Sequence, residues 1–183
     1  MKKRMILCLL LLLLSANAIF AKDITSADFE NLDRGVMFFA RNDTVEEVKK
    51  KAEALGLTIK REQDNYTISK ENNWTGGMVY RGSMQNMEFI VQFNFQDETL
   101  YALFASFIEK VPQSTPKGKS FHMYEVIKNI VIDQYGPPKS QKDLLCNWQE
   151  QDFRFFVTYN ELLMAEDNEV TRSAVFVTRW GNK

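Results

Sequence analysis

The sequence predicts an α+β protein in which two halves, each a helix followed by antiparallel strands, share one sheet with the helices packed on one face. Three observations favour this fold class. A hairpin of alternating apolar side chains spans residues 86–108, two stretches of helical periodicity end at glycines, and the order helix-then-strands occurs twice.

The hairpin at residues 86–108 is the strongest of these signals. Apolar residues recur at every second position from Met87 to Phe95, while polar residues such as Asn94 occupy the opposite side, with Ile90 as the exception. Period two is typical of a strand with one buried face. A polar break reverses the chain, and the following arm is apolar on both sides. We therefore expect this second arm near the middle of the sheet.

The two helices are predicted from their ends. Asp43 or Thr44 caps the first helix, because glutamates follow at capping-box spacing, and Gly56 ends it. Ser120 caps the second helix, and Gly136 followed by two prolines ends it. The halves therefore have the same plan, which makes an ancestral duplication a hypothesis.

Residues 1–21 have the layout of a secretory signal: a basic start, an apolar run and small residues at the end. Cleavage is predicted after Ala21, which leaves a polar start, with Ala18 as the alternative. The apolar run is shorter than the roughly 20 residues that a membrane-spanning helix needs, so no stable membrane span is expected. Cys8 follows Leu7 rather than a small residue, so no lipid anchor is expected. These features predict a bacterial periplasmic or secreted protein.

The rest of the chain divides into a polar leader, residues 22–34, and a single α+β domain, residues 35–183. Within that domain the half-repeats are predicted at 35–110 and 119–183. A linker rich in proline and polar residues, 111–118, separates them.

The charge balance predicts which partners are unsuitable. The chain has 23 basic and 24 acidic residues, and loss of the signal removes three basic residues and no acidic ones. The remaining 20 basic and 24 acidic residues give a net charge of −4. Because nucleic acids and anionic lipids bind basic faces, we expect neither as a partner.

Few residues are suited to catalysis. His122 is the only histidine, so a Ser-His or Cys-His device needs it, with Ser120 or Cys146 as nucleophile. Cys146 is interpreted instead as a small buried hydrophobe in a strand beside Trp148. After the predicted cleavage, which removes Cys8, the chain has one histidine and one cysteine, and these are too few for an ordinary zinc site. We predict no catalytic residue, no cofactor and no metal site.

Three thioether side chains near one turn are interpreted as core or loop residues rather than Cu(I) ligands: Met78, Met84 and Met87.

Two residues are candidates for contact with a partner. Trp74 stands among Asn, Thr and Gly with no apolar periodicity to bury it, which is typical of an interface anchor. The alternative is that Trp74 covers the sheet edge as a lid on the core. Tyr80, on the short strand that follows, is the second candidate and is expected in an exposed region.

Three features of the chain resemble exported bacterial helix-plus-sheet repeat proteins. They are a helix that opens Thr-Val-Glu-Glu-Val and ends at Leu-Gly, a later helix that ends at Tyr-Gly-Pro, and the Trp and Phe-rich hairpin after it. The families they resemble are the β-lactamase-inhibitor-protein-like fold and the SmpA/OmlA outer-membrane lipoproteins, over roughly residues 35 to 183. The resemblance implies binding or assembly roles carried by a sheet surface, without catalysis. The lipoprotein branch has a lipobox cysteine, and this chain departs from it.

The sequence therefore predicts a soluble periplasmic or secreted binding module that is not an enzyme and whose partner is another envelope protein or a peptide. One alternative is a small-ligand carrier or hydrolase with a pocket between sheet and helices. Another, which rests on fold analogy alone, is an inhibitor of an envelope enzyme.

Overall fold

The computed structural model describes residues 24–64, 75–164 and 168–181. The predicted signal segment with its cleavage sites, and Trp74, lie outside the described residues. In chain order the elements are strands β1 (Gly35–Val36) and β2 (Phe39–Ala40), helix α1 (Val45–Ala54), strands β3 (Thr58–Asp64), β4 (Gly76–Met84), β5 (Met87–Gln96) and β6 (Thr99–Pro112), helix α2 (Lys119–Tyr135), and strands β7 (Ser140–Lys142), β8 (Leu145–Gln149), β9 (Phe153–Met164) and β10 (Glu169–Trp180).

One eight-stranded antiparallel sheet dominates the fold, in the order β3-β4-β5-β6-β10-β9-β8-β7. Each half of the chain supplies a helix and a four-stranded meander. The last strand of each half, β6 and β10, pair along the centre of the sheet. The predicted α+β class with an antiparallel sheet is confirmed.

The predicted hairpin is the β5–β6 pair. Phe89 pairs with Phe107, and Phe93 pairs with Leu103. The apolar side of β5 is buried, as its alternation predicted, with Val91 fully inaccessible. Strand β6 lies between β5 and β10, which accounts for its apolar character on both sides.

Both helices pack on the same face of the sheet, which we call the core face. Lys49 of α1 forms an ion pair with Glu62 of β3 at 2.8 Å, and Ser120 of α2 donates a hydrogen bond to Glu109 of β6 at 2.8 Å. Between helices and sheet lies a continuous apolar cluster, rich in aromatic rings, that also contains the three methionines of the sequence analysis, Met78, Met84 and Met87.

The helix ends follow the predicted chemistry with one difference. The Thr44 hydroxyl accepts from the Glu47 amide at 3.3 Å, and the Glu47 carboxylate accepts from the Thr44 amide at 2.8 Å, which completes a capping box. Gly136 has a φ of +76°, the left-handed conformation that ends α2. Helix α2 begins after Gly118 rather than at Ser120.

Residues 24–34, part of the predicted polar leader, pack on the core, which corrects that prediction. Phe29 contacts the ring of Phe176 edge-on, with 5.1 Å between centroids, and Leu32 is fully buried. The Trp180 indole donates to the Leu32 carbonyl at 2.6 Å, and the Tyr135 hydroxyl accepts from the Leu32 amide at 2.7 Å. Because its hydrophobes are few and widely spaced, this segment gave no periodic signal.

Candidate functional site

Of the two predicted partner-binding residues, the structure describes only Tyr80. Its side chain is 3% exposed and contacts Phe93, with 6.0 Å between ring centroids. The expectation that Tyr80 is exposed is wrong, because strand alternation places it opposite Val91 on the core face. Burial raises the pKa of the Tyr80 hydroxyl.

The residues considered for catalysis lie in different environments. His122 is exposed on α2, whereas Cys146 is fully buried on β8, as its interpretation as a core residue predicted. The Cys146 sulfur lies 3.7 Å from the Tyr124 hydroxyl. Burial, together with this hydrogen bond, raises the pKa of Tyr124. Within residues 24–64, 75–164 and 168–181, no three His, Cys, Asp or Glu side chains cluster as metal ligands, and no helix has the length and apolar character to cross a membrane.

The candidate site is the outer face of the sheet, opposite the helices. The strand register places Phe104, Val177 and Phe156 side by side on β6, β10 and β9. We call these three side chains the apolar row. Other apolar side chains lie on the same face of these and neighbouring strands: Val79, Ile90, Ile108, Leu145, Leu162 and Val175.

The apolar row is only partly covered. Phe104 and Phe156 are half-buried, and Val177 between them is 4% exposed because the two rings flank it. At the margins, Leu145 is 40% and Leu162 is 64% exposed. Since both helices pack on the core face, no helix in the described part of the chain covers the row. A contiguous apolar patch of this kind is typical of an interaction surface.

The outer face is basic although the chain is acidic overall. In the described strands it carries six basic side chains and two acidic ones, one of which, Glu88, pairs with Arg81 at 2.8 Å. The net charge of the chain did not indicate this face, because a net charge does not locate charges. The basic residues are Arg61, Arg81, Lys110, Lys142, Arg154 and Arg179, and the acidic ones are Glu88 and Glu169.

Two of these cations, Arg154 and Arg179, stand directly opposite each other on β9 and β10. Arg179 Nε donates to the Tyr101 hydroxyl at 2.6 Å, and the guanidinium carbon lies 5.1 Å from the centre of the Tyr101 ring. Arg154 is exposed. Among the described residues, no carboxylate forms an ion pair with either arginine. Like charges directly opposite each other destabilise a sheet, so the arrangement favours a bound anion.

A bulge brings Tyr101 to this arginine pair. The β5–β6 register shifts next to Phe95, which leaves Tyr101 as the extra residue on β6. Bulges redirect side chains in this way and occur often beside functional sites. Tyr101, Arg154 and Arg179 line a hollow of about 280 Å³ at one end of the sheet. The rest of the lining comes from the end of β8, the β8–β9 turn, the start of β9 and the end of β10: Gln149, Glu150, Gln151, Asp152, Phe153, Trp180 and Gly181.

Asn94 also lies on the outer face, but its side chain is fully buried. The alternation of β5 had led us to expect its polar side to be exposed. The Gln92 side-chain amide donates to Asn94 Oδ1 at 3.0 Å, while Asn94 Nδ2 has no hydrogen-bond partner among the described residues. The strand register places Asn94 next to Ala102, in the cross-strand row that contains both arginines.

The arginine pair was not predicted from the sequence, although a signal for it exists. Arg154 stands between Phe153 and Phe155, and Arg179 stands between Thr178 and Trp180, so alternation puts both on the face away from the core. The sequence does not show that β9 pairs with β10 in the register that makes the two arginines neighbours.

Comparison with protein-family models, curated proteins and solved structures gives no match to this chain.

Proposed function

We propose that this chain is a binding module without catalytic activity, exported to the periplasm or secreted, which contacts another envelope protein or a peptide through the outer face of its sheet. The observation that carries the proposal is the apolar row at the centre of that face, whose two phenylalanines are half-buried and which has no helix over it in the described residues.

The packing of the core face supports this choice over a ligand carrier. Ile127 and Val131 of α2, and Phe155 and Phe176 of the sheet, are at most 1% exposed, so the helix side is filled with side chains. The hollows of about 260 to 370 Å³ seen in the described chain open at the ends and margins of the sheet and beside the β1–β2 loop. A carrier needs a concave apolar cavity that encloses its ligand.

Site-specific photocrosslinking in cells of the source organism tests the proposal. Two exposed asparagines form a matched pair: Asn147 lies beside Phe156 on the outer face, and Asn129 lies on α2. A benzophenone amino acid at position 147 should give a discrete crosslinked adduct with a protein, while the same group at position 129 should not.

A second variant checks that the contact depends on the apolar row. In the variant with the benzophenone amino acid at position 147, a second substitution, Phe156→Ser, should reduce the yield of adduct at least several-fold. Serine removes the apolar contact with the partner and lets water reach this part of the strand. Adducts from position 129 with none from position 147 contradict the proposal. Equal adduct yields with and without Phe156→Ser contradict the role given to the apolar row.

A further inference from the structure

We infer that the partner presents an acidic segment to the outer face, and that Arg154 and Arg179 together bind one of its carboxylates. The inference rests on the proposed function and adds to it the chemistry of the partner and the residues that recognise it.

The distribution of charge is the first argument. The outer face holds six of the basic side chains of the described strands and only two acidic ones, whereas the whole chain has more acidic than basic residues. The remaining surface is therefore acidic and repels an acidic partner. A protein polarised in this way orients an acidic partner toward the basic face during encounter, which raises the association rate and disfavours other orientations.

The hydrogen-bonding capacity of the pair is the second argument. Arg179 uses its Nε to donate to Tyr101, which leaves its two terminal nitrogens available, and Arg154 is exposed with no ion pair in the described chain. The Tyr101 oxygen accepts from Arg179, so the phenol proton is available to donate to a third group. Guanidinium forks match the two oxygens of a carboxylate, and such charge-assisted bonds are stronger than neutral ones.

The position of the pair beside the apolar row is the third argument. Val177 is two residues from Arg179, and Phe156 is two residues from Arg154, so each arginine has an apolar neighbour on the same face of its strand. Residues two apart on a strand are about 6.6–6.8 Å apart. An extended segment with an acidic residue two positions from an apolar one has the same spacing, and it therefore fits both groups at once.

A protein segment fits these observations better than an anionic membrane does. Membrane-surface proteins insert protruding apolar side chains several ångström into the lipid. Phe104, Phe156 and Val177 are half-buried or buried among the strands, and the more exposed Leu145 and Leu162 lie at the margins of the face. The apolar row therefore offers a flat surface rather than an insertion. Flat apolar surfaces with arginines around them are typical of protein interfaces.

The acidic residues near the arginine pair allow a substitution that should strengthen anion binding rather than weaken it. The Glu150 carboxylate lies 3.8 Å from Lys139 Nζ, so it is already directed to a cation. Asp152 lines the hollow, and its carbonyl accepts from the Gly181 amide at 2.6 Å. Its carboxylate opposes the approach of an anion, so Asp152→Asn should strengthen anion binding a few-fold.

The experiment measures binding of synthetic peptides to the purified protein by fluorescence anisotropy at low salt. One probe is an extended peptide in which each glutamate stands two positions from a phenylalanine or valine, with threonine at the position between them, so that both groups share one face. The other probe has lysine in place of each glutamate. The glutamate probe should bind at least ten-fold more tightly than the lysine probe. Arg154→Gln and Arg179→Gln should each weaken it about ten- to hundred-fold, the loss expected for a charge-assisted hydrogen bond.

Lys50→Gln on α1 is the control, since Lys50 is an exposed cation on the helix layer. It should leave affinity unchanged, and circular dichroism checks that every variant is folded. Equal affinity for the two probes, or arginine variants that behave like Lys50→Gln, contradicts the inference. Tighter binding to phosphatidylglycerol vesicles than to the glutamate probe assigns the pair to lipid and contradicts it as well. The Asn147 and Asn129 adducts test the proposed function separately.

Discussion

The two faces of the central sheet are made by the same strands but differ in chemistry. On the core face, Phe155 is fully buried and its ring stacks on Trp148 with 5.3 Å between centroids. One residue further along β9, Phe156 lies on the outer face and is half-buried, next to exposed Arg154. Alternation along a strand thus separates residues that hold the fold together from residues that face a partner. Substitutions at neighbouring positions should therefore affect stability and binding separately.

The largest expected effect on stability comes from adjacent phenylalanines on opposite faces. Phe155→Ala should lower the free energy of unfolding by about 3–5 kcal/mol, because it leaves a cavity among Trp148, Tyr135 and Phe176. Phe156→Ala should cost about 1–2 kcal/mol, since its ring is only half-buried. Urea denaturation measures both. Equal losses would mean that the outer face is part of the core.

Two arginines on β10 provide the next comparison. Arg172 is 5% exposed on the core face, and its terminal nitrogens donate to the Pro116 and Thr115 carbonyls at 2.7 Å each. Arg172→Met should lower the free energy of unfolding by about 2–3 kcal/mol, because it breaks charge-assisted bonds and leaves the carbonyls without a donor. Arg179→Met on the outer face should change stability by about 0.5 kcal/mol or less. A destabilisation by Arg179→Met as large as that by Arg172→Met contradicts the division of roles.

Tyrosines packed between the helices and the sheet should make the fold sensitive to alkali. Burial, and then the hydrogen bond to Glu161, raises the pKa of Tyr159 to about 12. Burial also raises the pKa of Tyr80, Tyr124 and Tyr135. A group with a higher pKa in the folded state contributes stability that is complete below its unfolded pKa, about 10, and is lost as pH rises through the folded one.

Urea midpoints measured from pH 9 to pH 12 should therefore be level up to about pH 10 and then fall. Tyr159→Phe should reduce that fall. Absorbance near 295 nm should show that the tyrosines buried by the fold ionise at a higher pH than those of the unfolded chain. A midpoint that falls equally in wild type and in Tyr159→Phe would show that Tyr159 is not involved.

The smallest effect is expected at Thr178, on the core face next to Val177 of the apolar row. Its hydroxyl is buried and has no hydrogen-bond partner among the described residues. Thr178→Val replaces the hydroxyl with a methyl group of similar shape, so stability should stay unchanged or rise by up to about 1 kcal/mol. Thr178→Ser keeps the hydroxyl and removes the methyl group, so it should destabilise. A loss of stability with Thr178→Val would show that the hydroxyl has a partner.

The parts of the fold that sequence patterns predicted are those with strong local signals. The alternation from Met87 to Phe95 predicted β5, the Thr44–Glu47 box predicted the start of α1, and Gly136 predicted the end of α2. Each signal is contained within a few residues, so one sequence suffices to read it.

The parts that were missed depend on distant residues. Ser120 has the chemistry of a helix cap, but its hydroxyl bonds to Glu109 on β6, and the helix starts earlier. Strand β3 runs from Thr58 to Asp64 and pairs with β4, which no local pattern indicated. Its polar run Lys60-Arg61-Glu62 has no apolar alternation to fix an edge strand.

The candidate site shows the same limit more clearly. Trp74, chosen for its local setting, lies outside the described residues, and Tyr80 proved to be buried. Arg154 and Arg179 are 25 positions apart, and only the β9–β10 register makes them neighbours. Local patterns identify which side of a strand a residue takes, whereas the assembly of a site depends on which strands pair.

The position of β10 has a consequence for synthesis on the ribosome. Because β10 inserts between β6 and β9, both of those strands present unsatisfied backbone edges until residues 169–180 emerge. The open edge of β6, in the meander β3–β6, therefore stays unpaired until a strand that begins about 60 residues after β6 ends has been translated. Pairings between such distant segments form slowly. During this interval the nascent chain is most exposed to aggregation, and chaperones that cover open strand edges should have their largest effect on its yield.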